Sequence, residues 1–183
     1  MKPGMTHVMA DIECLALKST KPAFLAIGAV KFNGTEIVDR FEVGIDPADC
    51  QRYGLDIEGG TVMWWFDEPQ NAARDYINKL GKVDLFAALD GFAMWVNQTP
   101  VPERGSLWGN GAMFDNTRIK AAYDACQLDY PFHYRSNECY RTRRNRFEDV
   151  PFAQIGIAHT ALADAESQAT HLIAISQAHG VPL

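Results

Sequence analysis

The amino-acid sequence predicts an α/β fold in which a mixed five-stranded sheet, opening with three antiparallel strands, is flanked by helices. Three observations carry that expectation. Two apolar runs are joined by Asn33-Gly34, a dipeptide that turns a β-hairpin. A third apolar run, His7 to Asp11, stands before them. From Asp84 onward, stretches of helical period alternate with short extended ones, as in a layered α/β domain.

Taken in order, His7-Val8-Met9-Ala10-Asp11 reads as a short strand that ends in acids and lies at or next to the sheet centre. Ala23 to Phe32 supplies the second strand and Thr35 to Gly44 the third. Asp46 to Gly60 is polar, carries Pro and Gly, and reads as loop. Thr61 to Phe66 reads as a short helix capped by Thr61, with more helix from Pro69 to Leu80. Asp84 to Gln98 repeats Leu85, Leu89, Phe92, Trp95 and Val96 at helical period before Pro100 and Pro102 end it. Ser106 to Gly109 reads as a buried strand and Asn116 to Cys126 as a helix. A fifth strand then precedes a basic helix over Glu138 to Phe147. The last helix, about Thr160 to Ala178, aligns Leu162, Ala165, Ala169, Leu172, Ile173 and Ser176 on one face. With no repeat, low-complexity tract or composition break, residues 1–183 read as one domain.

Bulk composition narrows the functional class. Hydrophobic content of 47% and charged content of 22% suit a globular chain with a real core. No apolar run nears the roughly 18 residues a membrane span needs, and Met1-Lys2-Pro3-Gly4 does not open a signal peptide. Cys14, Cys50, Cys126 and Cys139 form no CxxC pair, so reduced thiols in a cytoplasm are expected. A net charge of −6 argues against a nonspecific nucleic-acid coat. The charge is uneven, however: Arg104 to Arg146 holds eight basic residues against four acids. That leaves room for an enzyme that grips one chain end.

Three short segments carry the chemistry: Asp11-Ile12-Glu13, Phe114-Asp115, and His159-Thr160-Ala161-Leu162-Ala163-Asp164. Strand residues at i and i+2 share a face, so Asp11 and Glu13 point together while Ile12 turns into the core. Asp115 opens a helix directly after a strand, and Asp164 falls in the first turn of the last helix with His159 just before it. Four carboxylates suit two hard cations, Mg²⁺ or Mn²⁺, which prefer oxygen ligands. A histidine side chain titrates near neutrality and is suited to take a proton from water. This inventory points to phosphodiester hydrolysis. A second Asp-x-Glu, Asp56-Ile57-Glu58, sits in a Gly-bearing loop with no strand before it and reads as surface.

In their order and spacing these residues resemble the DEDDh subgroup of 3′→5′ exonucleases, which share an RNase H-like fold. The resemblance assigns Asp11 and Glu13 to the first motif, Asp115 to the second, and His159 and Asp164 to the third. Within that subgroup Ile27-Gly28-Ala29-Val30, Trp64-Trp65, Trp108-Gly109-Asn110-Gly111 and Phe114-Asp115-Asn116 look most like phage and prophage exonucleases of the exodeoxyribonuclease VIII kind. Small bacterial exoribonucleases share parts of the pattern. Cys14 departs from the Thr often found after the first-motif Glu, a position away from the metal ligands.

The resemblance implies two divalent cations (Mg²⁺ or Mn²⁺) held by Asp11, Glu13, Asp115 and Asp164, with His159 as general base. It further implies that Cys14 and Leu17 meet the terminal nucleotide, Leu17 as an apolar wedge or else packed on its own domain. Trp65, Asn110 and Arg143 complete the candidate substrate contacts: stacking, orientation and phosphate grip, each weighed against packing, turn or solvated roles. The expected reaction releases nucleoside 5′-monophosphates from a single-stranded 3′ end, DNA before RNA, in the cytoplasm of a bacterium or phage-infected host. A homodimer is compatible with the resemblance. A short-oligonucleotide hydrolase and a non-catalytic nucleic-acid-binding module on the same fold stand as alternatives.

Overall fold

The structure, a computed structural model, describes residues 5–183. Strands β1 (Thr6–Cys14), β2 (Phe24–Phe32) and β3 (Ile37–Ile45) run antiparallel to one another in sequence. They are followed by α1 (Pro47–Arg52), α2 (Gly59–Trp65), α3 (Asn71–Lys79), β4 (Lys82–Val83) and α4 (Leu85–Asn97). The chain then forms β5 (Arg104–Gly109), α5 (Asp115–Ala125), β6 (Asn137–Cys139), α6 (Tyr140–Arg144) and α7 (Ala161–His179). The sheet order is β4-β3-β2-β1-β5-β6, with β5 parallel to β1 and β6 parallel to β5. An α/β layer with a mixed sheet and three antiparallel strands first is therefore present, in six strands rather than five.

The sixth strand is β4. Its two residues are exposed and pair with the end of β3, so no apolar alternation marks them. Three other differences have local causes. The segment read as loop contains α1: Asp46 caps it by accepting from the Ala48 N–H at 2.9 Å, and Pro47 occupies the first turn, where the ring starts a helix rather than breaking one. Helix α2 begins at Gly59 with Glu58 in the cap position, and Thr61 lies buried inside the first turn instead of capping it. The basic segment divides into β6 and the five-residue α6, because Asn137 to Cys139 pair with Leu107 to Gly109.

β1 is buried on both faces. Val8, Ala10, Ile12 and Cys14 join Phe24, Leu89, Phe92 and Tyr123 beneath α4 and α5. Met9 lies on the opposite face with Val30, Phe32, Trp108 and the α7 residues Ala165, Ala169 and Leu172. The two-residue period therefore also carries Asp11 and Glu13 toward α7. Small residues let α7 lie close: Ala165 and Ala169 are fully buried. Gly28, opposite Asp11 in the β1–β2 register, is the tightest point of all. A Cβ there would stand 2.1 Å from the Leu162 nitrogen and 2.2 Å from the Ala161 carbonyl carbon. Gly180, at φ 61°, ends the helix in the left-handed conformation that favours glycine.

Candidate active site

The three motif segments meet in one cleft of about 320 Å³, whose walls include Asp11, Glu13, Asp115, His159 and Asp164. Each arrives by a different route. The end of β1 brings Asp11 and Glu13 on one face, the N-terminus of α5 brings Asp115, and the first turn of α7 brings Asp164 over Gly28. One oxygen each from Asp11, Glu13 and Asp164 lie within 4.8 Å of one another. Asp115 stands outside that triplet; its Oδ2 accepts the Gly111 N–H at 3.0 Å, which fixes its orientation at the cleft wall.

Burial sets the electrostatics. Asp11 is pushed well above the usual carboxylate range, first by desolvation and then by Asp115, Glu13 and Asp164. Desolvation, then Asp164 and Asp115, raise Glu13 to about 8. Asp115 rises to about 6 by burial, restrained by the Gly111 N–H and by Arg118 and Arg141. Asp164 rises by burial against hydrogen bonds from Gln154 and the His159 N–H. Carboxylates crowded at such cost are unfavourable as bare anions and well matched to divalent cations, which take oxygen donors and relieve the repulsion. The residues present thus fit a divalent metal.

The loop before α7 is built around Asp164. Gln154 Nε2 donates to Oδ1 at 2.7 Å and the His159 N–H to Oδ2 at 3.2 Å. Ile155 N–H donates to Ser167 Oγ at 2.8 Å, and His171 Nε2 pairs with the Val150 carbonyl at 2.9 Å. His159 itself is exposed, sits at φ 61°, and places its ring edge-on to Trp64 at 5.2 Å. A non-glycine residue in that backbone region costs about 1 kcal/mol or more, a strain typical of functional positions.

The substrate-contact expectations separate into two groups. Leu17 and Asn110 line the cleft, and Leu17 is 54% exposed. Cys14 edges the cleft, but its thiol donates to the Ala16 carbonyl at 3.5 Å and burial raises it to about 11. Trp65 also lines the cleft, but it is only 5% exposed, and its indole N–H donates to the Cys14 carbonyl at 3.1 Å. The half-buried Trp64 is the one set against His159, because consecutive helix residues point about 100° apart. Arg143 does not line the cleft: its Nη1 donates to the Pro182 carbonyl at 2.7 Å and its guanidinium lies 5.3 Å from the Trp108 ring. Arg141 is the basic residue on the cleft wall.

Sequence reasoning missed Glu58 and Arg118. The Glu58 carboxylate accepts the backbone N–H groups of Leu17 at 3.1 Å and Lys18 at 3.2 Å. Arg118, buried on α5, donates to the Leu17 carbonyl at 2.8 Å and lies over the Phe114 ring. Leu17 is therefore held by its backbone from two sides with its side chain left outward. The second Asp-x-Glu is a latch for this loop rather than free surface. Only its 40-residue reach across the chain reveals it.

Comparison with known proteins agrees with this geometry. Residues 6–176 match the family described as 3′-5′ exoribonuclease Rv2179c-like domain. The chain belongs to that family. It is a 3′→5′ exonuclease, a phosphodiester hydrolase, and it shares its α/β fold with solved exonucleases that include a DEDDh family member. Among solved structures, the exonuclease is similar to the nuclease domain of 3′hExo, a DEDDh family member bound to rAMP: TM-score 0.66, 14% identity, 95% of this chain and 92% of that one. It is also similar to E. coli Exonuclease I in complex with a dT13 oligonucleotide (TM-score 0.66, 14% identity, 94% of this chain). Exonuclease I from Methylocaldum szegediense gives TM-score 0.68 at 11% identity over 96% of this chain. The exonuclease spans 41% of each of those two longer chains. No curated protein matches it significantly in sequence. Among the described residues, no helix is long and apolar enough to cross a membrane.

Proposed function

We propose that this domain removes nucleoside 5′-monophosphates one at a time from the 3′ end of single-stranded RNA, using two divalent cations, Mg²⁺ or Mn²⁺. The observation that carries the reading is the convergence of three buried acids, the half-buried Asp164 and one exposed histidine on a single cleft. Asp11, Glu13 and Asp164 present the clustered oxygens, and Asp115 faces them from α5. When bound, the cations supply positive charge at the phosphate and acidify the attacking water. His159 takes the proton of that water, its exposed loop position letting the imidazole approach from the solvent side. Leu17 wedges against the terminal base from its clamped backbone, Trp64 and Asn110 shape the nucleotide pocket, and Arg141 meets phosphate.

RNA comes first because the family description names an exoribonuclease over almost the whole chain. DNA is the second reading, favoured by the likeness of Ile27-Gly28-Ala29-Val30 and Trp64-Trp65 to phage exonucleases of the exodeoxyribonuclease VIII kind. The four free thiols fit work in a reducing cytoplasm. A homodimer is tested directly by sedimentation.

The deciding experiment uses 5′-labelled single-stranded RNA and DNA of equal sequence, with Mn²⁺, Mg²⁺ or EDTA. A ladder that shortens from the 3′ end only with metal, faster on RNA, is the expected result. Faster DNA shortening would favour the second reading. Cleavage confined to the shortest oligomers would make it a short-oligonucleotide hydrolase. Binding without cleavage would leave a non-catalytic module.

A further inference from the structure

Gln168 lies on α7 one turn after Asp164 and is almost wholly buried. Its Nε2 donates to Asp11 Oδ1 at 3.2 Å, while its Oε1 is buried with no hydrogen-bond partner. Turning the amide over would not repair this. It would set Oε1 against the Asp11 oxygen and leave the donor unmatched instead. The side chain therefore gives one hydrogen bond to Asp11 and leaves an orphaned acceptor, a combination that an apolar residue of the same shape would avoid. The orphaned acceptor offsets what the hydrogen bond to Asp11 contributes, so stability gives a glutamine little advantage at this position.

We infer that Gln168 is a positioning residue for the metal centre: by holding Asp11 Oδ1 it fixes which face of that carboxylate is presented to the cation. The inference rests on the two-metal reading above and deepens it. Two of the other acids have anchors of their own. Asp115 is oriented by the Gly111 N–H, and Asp164 by Gln154 and the His159 N–H. Gln168 is the one side chain that donates to Asp11 among the described residues. It also ties α7 to β1, so Asp164 and Asp11 keep their separation while the helix carries both ligand and anchor. Groups that hydrogen-bond to a metal-ligating carboxylate typically change metal affinity 10–100-fold when removed.

The test is Mn²⁺ binding by calorimetry, without substrate, on the wild-type chain, Gln168→Met and Gln168→Asn. Methionine keeps the length without a donor, and asparagine keeps the amide but falls short of Asp11. Both variants are expected to bind Mn²⁺ about 10-fold more weakly or worse. Thermal unfolding in EDTA should show Gln168→Met near the wild-type midpoint, because the loss of the donor to buried Asp11 and the loss of the orphaned oxygen offset each other; a merely structural glutamine would lower the midpoint and leave affinity unchanged. Wild-type affinity in both variants, or a lowered EDTA midpoint with unchanged affinity, would overturn the inference and leave the two-metal reading standing. No Mn²⁺ uptake by the wild-type chain would instead overturn that reading, and this inference with it.

Discussion

The position of α7 over the sheet depends on one hydrogen atom, that of Gly28. The Gly28→Ala substitution adds a Cβ that would stand 2.1 Å from the Leu162 nitrogen, 2.2 Å from the Ala161 carbonyl carbon and 2.5 Å from the Leu162 Cα. All three are backbone atoms, so no rotamer change relieves the clash. Ordinary contact begins near 3.5 Å, so helix and strand must part by roughly 1.4 Å. Overpacking of this kind costs about 1–3 kcal/mol, a large part of a domain's stability of about 5–15 kcal/mol but not the whole of it. The chemical consequence is larger. Asp164 rides on the first turn of the displaced helix and Gln168 on the next, while Gly28 faces Asp11 in the register. A misplacement of about 1 Å in a catalytic constellation costs on the order of 100-fold in rate. The expected outcome is a folded variant with Mn²⁺ affinity and kcat/KM lowered about 100-fold on 5′-labelled single-stranded RNA. Gly34→Ala, where nothing lies within 4 Å of the new Cβ, serves as the control and should retain both. Wild-type metal affinity and turnover in Gly28→Ala would refute the reasoning, since Asp164 would then not need its place above the strand.

Asp115→Ala should remove turnover with the fold intact by circular dichroism, whereas His159→Ala should lower kcat by about 10²–10⁴ while leaving Mn²⁺ affinity nearly unchanged; a matched loss of metal affinity would argue against the base role. Glu58→Ala frees the Leu17 and Lys18 amides and should raise KM for oligonucleotides several-fold with a smaller effect on kcat. An equal fall in both parameters would show that the latch acts on more than substrate placement. Stability of the metal-free protein should decline as pH rises from 6.5 to 8. Glu13, raised to about 8, keeps its proton in the folded state where the unfolded chain has lost it, so its stabilising effect is present at low pH and disappears through pH 8. Over that window the loss is about 1–2 kcal/mol, read as a falling unfolding midpoint in EDTA, and excess Mn²⁺ should suppress it. His7, lowered to about 4 by burial, acts in the opposite direction but only as pH falls below about 6.5. A flat EDTA profile from 6.5 to 8 would contradict the burial of Glu13.

Local patterns were legible wherever a segment carries its own signal. The Asn33-Gly34 turn, the apolar periods of α4 and α7, and the alternation that sends Asp11 and Glu13 to one face of β1 follow from side-chain direction and turn chemistry alone. The acids and histidine could be named as a set because each stands at the start or end of a recognisable element. Where the signal was weak, the reading failed in identifiable ways. The polar stretch from Asp46 to Gly60 reads as loop although Asp46 caps α1, and two exposed residues of β4 leave no apolar trace.

Tertiary structure alone decided which neighbours those residues have. Trp64 rather than Trp65 meets His159, and Arg141 rather than Arg143 faces the cleft, because helix rotation and the C-terminal tail choose between adjacent side chains. Glu58 reaches Leu17 and Gln168 reaches Asp11 across 41 and 157 residues of chain. No local rule registers such contacts. The sequence determined the chemical inventory, since residue type and local period are properties of short segments. The fold determined orientation and charge state, since those depend on burial and on groups that meet only when the sheet, α5 and α7 close together.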